Sequence, residues 1–165
     1  MDKINRIIGY KKKELYDSFI KNFIPDNIEI YCEPFGGGFN IHNYLQNKPK
    51  ISIYNDINSY DFQINADVIL HKDYKEIFKE YDSINTVWYL DPPYYKKEFI
   101  YDNCEKYDNF FHEELKNEID KLKGKVILSY EDKTFIRNLY KKYNIHFYSG
   151  DKHVFNKEII ITKNI

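Results

Sequence analysis

Residues 28–39, IEIYCEPFGGGF, carry an apolar run rich in isoleucine and tyrosine straight into three glycines and out onto a phenylalanine. The run reads as a strand, because β-branched and aromatic residues suit a pleated, packed surface. Glycine lacks Cβ, so the backbone can turn sharply there, and the helix that follows starts with free N–H groups. Strand, glycine turn and helix make one unit of an α/β sheet, and the rest of the chain repeats the alternation. Further strand-like runs are ISIYN at 51–55, TVWYLD at 86–91, KVILSY at 125–130, NIHFYS at 144–149 and EIIIT at 158–162, with a weaker one around 66–70. Helical patterns lie near 11–22, 38–47, 72–81, 111–123 and 133–142. The alternation predicts an α/β fold, a doubly wound, mostly parallel sheet of about seven strands. Only the turn-like Gly150 and Asp151 separate the last two runs, which predicts a carboxyl-terminal antiparallel hairpin.

The chain has 165 residues, 42% of them apolar, enough for one core without disulfides or metal, and no linker or repeat divides it. Residues 1–165 therefore read as one domain. Cys32 and Cys104 are too few for a disulfide scaffold or a four-ligand zinc site, and the five histidines lack ligand spacing, so no metal is expected. Nothing approaches the ~20 apolar residues of a membrane span, and the amino terminus lacks a signal-peptide run. A cytoplasmic location is expected, the host cytoplasm for a viral source. A net charge of −1 excludes a strongly basic field, so any polyanion contact would rest on local lysines such as those at 11–13, at 96 and 97, at 121, 123 and 125, and at 141 and 142. Solvated helix faces produce the same runs. Aromatics make up 18%, mostly tyrosine, as base-stacking surfaces or as the product of AT-rich coding.

In a doubly wound sheet, ligands bind at the carboxyl ends of the strands, near the reversal of strand order. Three runs end there on unusual chemistry. The first enters Glu33-Pro34-Phe35-Gly36-Gly37-Gly38, which either cradles a ligand or serves helix packing. The second ends at Asp56, 18 positions after Gly38, where a carboxylate accepts the hydroxyls of a nucleoside ribose or caps a helix. The third ends in Asp91-Pro92-Pro93-Tyr94, a tetrapeptide expected by chance about once in a thousand chains of this length. A rigid turn with a packed tyrosine is its plain alternative. Its chemistry suits an exocyclic aromatic amine, whose lone pair is delocalised into the ring. A carboxylate and the Pro92 carbonyl can accept from both amine hydrogens and localise that pair, while Tyr94 offers a stacking face.

These motifs, in this order, resemble the Dam-type DNA adenine-N6 methyltransferases, over about residues 7–162. The resemblance implies a Rossmann-like methyltransferase fold and S-adenosylmethionine (AdoMet) as cofactor. Ile8-Gly9-Tyr10-Lys11 resembles the family's amino-terminal cofactor motif, implying that Lys11 helps hold AdoMet. Glu33, Phe35, Gly36 and Gly38 match the glycine motif, Asp56 the ribose motif, and Asp91-Pro92-Pro93-Tyr94 the catalytic one, with Asp91 also beside the cofactor. Phe110, or Phe111, resembles the aromatic of the next motif. Leu128-Ser129-Tyr130 and Glu158-Ile159-Ile160-Ile161-Thr162 resemble the closing strands. Asp73, at the third strand end, is a further candidate contact to the cofactor adenine. Ile7 stands where the family commonly has an aromatic. The 35 positions from Asp56 to Asp91 leave no space for the usual target-recognition region.

The reading is thus an AdoMet-dependent adenine-N6 methyltransferase with Asp91, Pro92 and Tyr94 catalytic. Pro93, Tyr94, Tyr95, Lys96 and Lys97 are candidate substrate contacts, and the stretch 96–107, KKEFIYDNCEKY, either covers a flipped base or is an ordinary surface loop. The expected partner is nucleic acid, DNA ranked before RNA, with a protein partner as the possible source of target recognition and no membrane. The alternatives are a degenerate or partner-dependent subunit that binds AdoMet or nucleic acid without catalysis, and an RNA adenine methyltransferase.

Overall fold

The computed structural model describes residues 11–95, 108–149 and 157–165. Ile8, Gly9 and Tyr10 of the amino-terminal motif, the 96–107 stretch with Lys96 and Lys97, and the Gly150-Asp151 turn lie outside the described residues. The strands are β1 (Ile30–Glu33), β2 (Ile51–Asn55), β3 (Val68–Leu70), β4 (Thr86–Leu90), β5 (Lys125–Glu131), β6 (Asn144–Phe147) and β7 (Glu158–Lys163). They form one sheet in the order β3-β2-β1-β4-β5-β7-β6. All neighbouring pairs are parallel except β5 with β7 and β6 with β7, so β7 alone runs backwards, wedged between β5 and β6. The expected sheet and hairpin are both present. Strand order reverses between β1 and β4.

Alternation along each strand builds two cores. Cys32, Trp88, Leu90, Val126, Leu128, Ile159 and Ile161 face one layer, packed with α3 (Tyr74–Tyr81), α4 (Asn109–Lys121) and α5 (Thr134–Leu139). Tyr31, Tyr54, Val87, Tyr89, Ile127 and Ile160 face the other, under α1 (Lys13–Ser18), a 3-10 turn (Ile20–Phe23) and α2 (Asn40–Tyr44). Coverage on both faces is why the strands read as continuous apolar runs rather than alternating ones.

Helix limits differ from the expected ones for local reasons. The 11–22 pattern breaks at Phe19, whose φ of −140° and ψ of −62° leave the α region before the 3-10 turn. The 38–47 pattern shortens to α2 because Gly37 and Phe39 both take positive φ, 46° and 54°, delaying the helix to Asn40. The 111–123 pattern starts earlier, because Asp108 caps α4 by accepting from the Phe111 N–H at 3.1 Å. Among the described residues, no helix is long and apolar enough to cross a membrane.

Candidate active site

Strand parity determines which side chains meet at the top of the sheet. Leu90 faces the α3–α5 layer, so Asp91, the next residue, turns with Tyr89 toward the α1–α2 layer. Glu33 shares the parity of Tyr31, and Ser129 that of Ile127. Because β7 is antiparallel, its first residue, Glu158, lies beside the last residues of β5, in register with Glu131. The chain enters α1 through Lys11, whose backbone carbonyl accepts from the Tyr44 hydroxyl at 3.2 Å. Remote segments thus bring Lys11, Asp91, Tyr94, Ser129 and Glu158 together.

The Lys11 ammonium lies 3.0 Å from Asp91 and 3.2 Å from Glu158, and also donates to the Tyr94 hydroxyl. It sits 4.7 Å from the centre of the Tyr94 ring. The Tyr94 hydroxyl donates to Glu158 Oε1 at 2.7 Å and lies 3.2 Å from Ser129 Oγ, which also donates to Glu158. Burial works against the charge on Lys11, but Asp91 and Glu158 outweigh it and raise its pKa. Burial raises the Asp91 carboxyl to about 6, with the Glu158 charge adding to the rise and Lys11 opposing it. Two carboxylates share one cation here, so Glu158 offsets part of the lowering that Lys11 exerts on Asp91 and burial decides the direction.

The glycine turn is tied to the neighbouring strand ends. Gly36 donates to the Asn55 carbonyl at 2.8 Å, and the Asn55 amide donates at 3.0 Å to the carbonyls of both Pro34 and Lys72. One asparagine therefore joins the loops after β1, β2 and β3. Asp56 accepts from the Gly37 N–H and the Asn58 N–H, each at 2.9 Å. Burial raises its pKa against both of these bonds. At Gly36 a Cβ would run into the Tyr54 ring, so that glycine is needed for packing. Glu33 accepts from the Tyr31 hydroxyl at 2.7 Å and from His42 N at 3.0 Å, in the first turn of α2. Burial raises its pKa to about 8, and the charge of Asp91 pushes the same way.

Phe35 packs on Tyr74, with ring centres 5.3 Å apart, and Phe111 meets the same tyrosine at 6.1 Å. Phe110 is 69% exposed, so of the two candidate aromatics only Phe111 joins this cluster. The Asp73 carboxylate accepts from Lys75 N at 2.8 Å as the cap of α3. Pro92 is buried, Pro93 half-buried, and Tyr95 stacks on Phe135 with ring centres 4.4 Å apart. Sequence reasoning left Ser129 and Glu158 among the closing strands and gave Asn55 no task. The signal for Glu158 was the predicted hairpin, which returns the start of β7 to the site edge.

Carboxylates and a glycine turn at the strand-order reversal of a doubly wound sheet with one reversed strand define a Rossmann-like methyltransferase architecture. The sequence matches the model of the D12 class N6 adenine-specific DNA methyltransferases over residues 8–83 and 59–152, and the chain belongs to that family. No curated protein sequence matches it. Similar solved structures include SMU.1697c from Streptococcus mutans in complex with SAH, at 12% identity and TM-score 0.50, with 93% of this chain and 96% of that one covered. An rRNA methylase from Streptococcus thermophilus aligns at 10% identity and TM-score 0.50, covering 93% and 95%. Wild-type Trm5b from Pyrococcus abyssi aligns at 15% identity and TM-score 0.50, covering 93% of this chain and 49% of that one. At these identities the likeness is one of fold.

Proposed function

We propose that this chain transfers a methyl group from AdoMet to the N6 amine of adenine in DNA. The observation that carries the reading is Asp91-Pro92-Pro93-Tyr94 at the end of β4, beside the strand-order reversal, in a member of an adenine-specific family. The residues fit the cofactor chemically. Asp56 offers an acceptor for ribose hydroxyls beside the Gly36–Gly38 turn, and the Phe35–Tyr74–Phe111 cluster offers flat apolar surface for an adenine. Lys11 and Glu33 supply buried polar groups for the amino-acid end. Asp73 remains a candidate for the cofactor adenine.

When bound, AdoMet supplies an electrophilic methyl on a sulfonium. The protein contributes alignment and electrostatics. Asp91 and the Pro92 carbonyl accept from the two amine hydrogens of the target base, localising its lone pair toward the methyl. Tyr94 presents its ring to that base, and Pro93 and Tyr95 flank it; Lys96 and Lys97 are kept as candidate substrate contacts from the sequence alone. Asp91 would take the proton the amine gives up on methylation, a role suited to a pKa of about 6.

Labelled AdoMet offered with single- and double-stranded DNA and RNA tests this reading. Label on adenine N6 of DNA is expected; a clean protein that binds AdoMet and labels nothing overturns it in favour of a non-catalytic module. A second reading assigns target choice to a partner protein. Only residues 82–85 join α3 to β4, and no added helix or ribbon for the major groove stands there. Labelling without sequence preference, sharpened by a partner, would support it.

A further inference from the structure

The site holds two carboxylates and one ammonium, which poses a problem for the proposed chemistry. Asp91 must accept a hydrogen bond from the target amine, yet the Lys11 ammonium already lies 3.0 Å from it. Removing a buried ammonium from its partner is costly unless a second acceptor retains it. Glu158 is that acceptor: one oxygen, Oε1, lies 3.2 Å from Lys11 and 2.7 Å from the Tyr94 hydroxyl, and also accepts from Ser129. It stands at the start of β7, paired with Glu131 of β5 and accepting on its backbone carbonyl from the Tyr148 N–H at 3.4 Å, so it belongs to a different element from both Lys11 and the Asp91–Tyr94 motif.

We propose that Glu158 is a positioning residue of this site: by holding the Lys11 ammonium and the Tyr94 hydroxyl on one carboxylate oxygen, it leaves Asp91 to the incoming amine. The proposal rests on the methyl-transfer reading of the site and extends it to a residue outside the Asp91–Tyr94 motif. Glu158 touches neither base nor methyl; it acts through Lys11 and Tyr94. Ser129, on β5, donates to the same oxygen and fixes its direction.

The geometry separates two contributions. Glu158→Gln keeps an oxygen for Tyr94 and Ser129 but removes the charge that retains Lys11, leaving Asp91 as the one carboxylate beside the ammonium. Glu158→Ala removes both anchors. Asp91 is faced by Lys11, Glu158, Tyr94, Glu33 and the phenols of Tyr89 and Tyr130, and of these only Lys11 lowers its proton affinity through charge. Deleting the Glu158 charge therefore moves the Asp91 titration to lower pH.

The test pairs kinetics with a readout that needs no activity. Carboxylate 13C NMR follows the Asp91 titration in wild type, Glu158→Gln and Glu158→Asp, while labelled AdoMet measures kcat and KM on DNA. Expected are a downward shift of the Asp91 midpoint in Glu158→Gln, a fall in kcat of about 10-fold or more with a matching shift of the acid limb, and partial rescue by Glu158→Asp. A folded Glu158→Gln protein with an unmoved Asp91 titration and wild-type kcat overturns the proposal. So does loss of activity in proportion to lost thermal stability, with the titration unchanged, which marks a merely structural role. If wild type labels no nucleic acid, the functional reading has failed, whereas the NMR shift still decides whether Glu158 governs Asp91.

Discussion

The Gly37 N–H donates to the Asp56 carboxylate at 2.9 Å, so the side chain just past β2 holds the turn just past β1. The same carboxylate is the proposed ribose acceptor, and its two tasks are separable. Asp56→Ala should weaken AdoMet binding about 10- to 100-fold, the worth of one or two charge-assisted hydrogen bonds, as measured by titration calorimetry. Asp56→Asn keeps an oxygen for Gly37 and should recover part of the loss. Unchanged affinity in both variants would remove Asp56 from the cofactor site and leave it as a turn clamp.

Asp91→Ala should abolish methyl transfer while AdoMet still binds, because Glu158 continues to hold Lys11 at 3.2 Å and the Asp56 turn is untouched. Single-turnover labelling and calorimetry on the same preparation check it. An active Asp91→Ala enzyme would sink the assignment of the amine-binding carboxylate.

Seven strands and the closing hairpin were legible because a sheet covered on both faces writes each strand as a continuous apolar run. The place of Asp91 just past a strand tip was legible as well, since an apolar run there stops at two prolines. The Lys11–Glu158–Tyr94 network was not. Its members lie 83 and 64 positions apart along the chain, and only strand order and parity bring them together. The choice between Phe110 and Phe111 turned on the phase of α4, since adjacent helical residues point about 100° apart. The Asp108 cap sets that phase. Asp73 shows the converse ambiguity, because a short carboxylate before a helix serves equally as ligand or as cap, and here it caps α3.

Gly36→Ala should destabilise the fold by about 1–3 kcal/mol, because the added methyl meets the Tyr54 ring and the neighbouring strand end leaves little room to yield. The Tyr54 hydroxyl also donates to the Gly37 carbonyl at 3.0 Å, so displacing the ring disturbs the turn twice. Thermal unfolding should show a lowered Tm and, by calorimetry, weaker AdoMet binding. A variant of wild-type stability would mean that the β2 side of the turn is softer than its packing implies.

Stability should fall as pH rises through the neutral range, and Glu33 is the reason. Burial raises its pKa to about 8 from an ordinary 4.5, so between those values the folded chain keeps a proton that the unfolded chain has lost. Its contribution is therefore complete below about 4.5 and disappears as pH climbs through about 8. His42 acts in the opposite sense: burial lowers its pKa from 6.5 to about 4, and within that interval rising pH favours the folded state. Asp91, raised from 3.8 to about 6, follows the sign of Glu33 but is spent at lower pH. The window that isolates Glu33 thus runs from about pH 6.5 to about pH 8.5. Across it the wild-type Tm should decline. Glu33→Gln, which keeps an oxygen for Tyr31 and for the first turn of α2, should show a flatter profile. A variant whose Tm declines as steeply as wild type would assign the titration to another group.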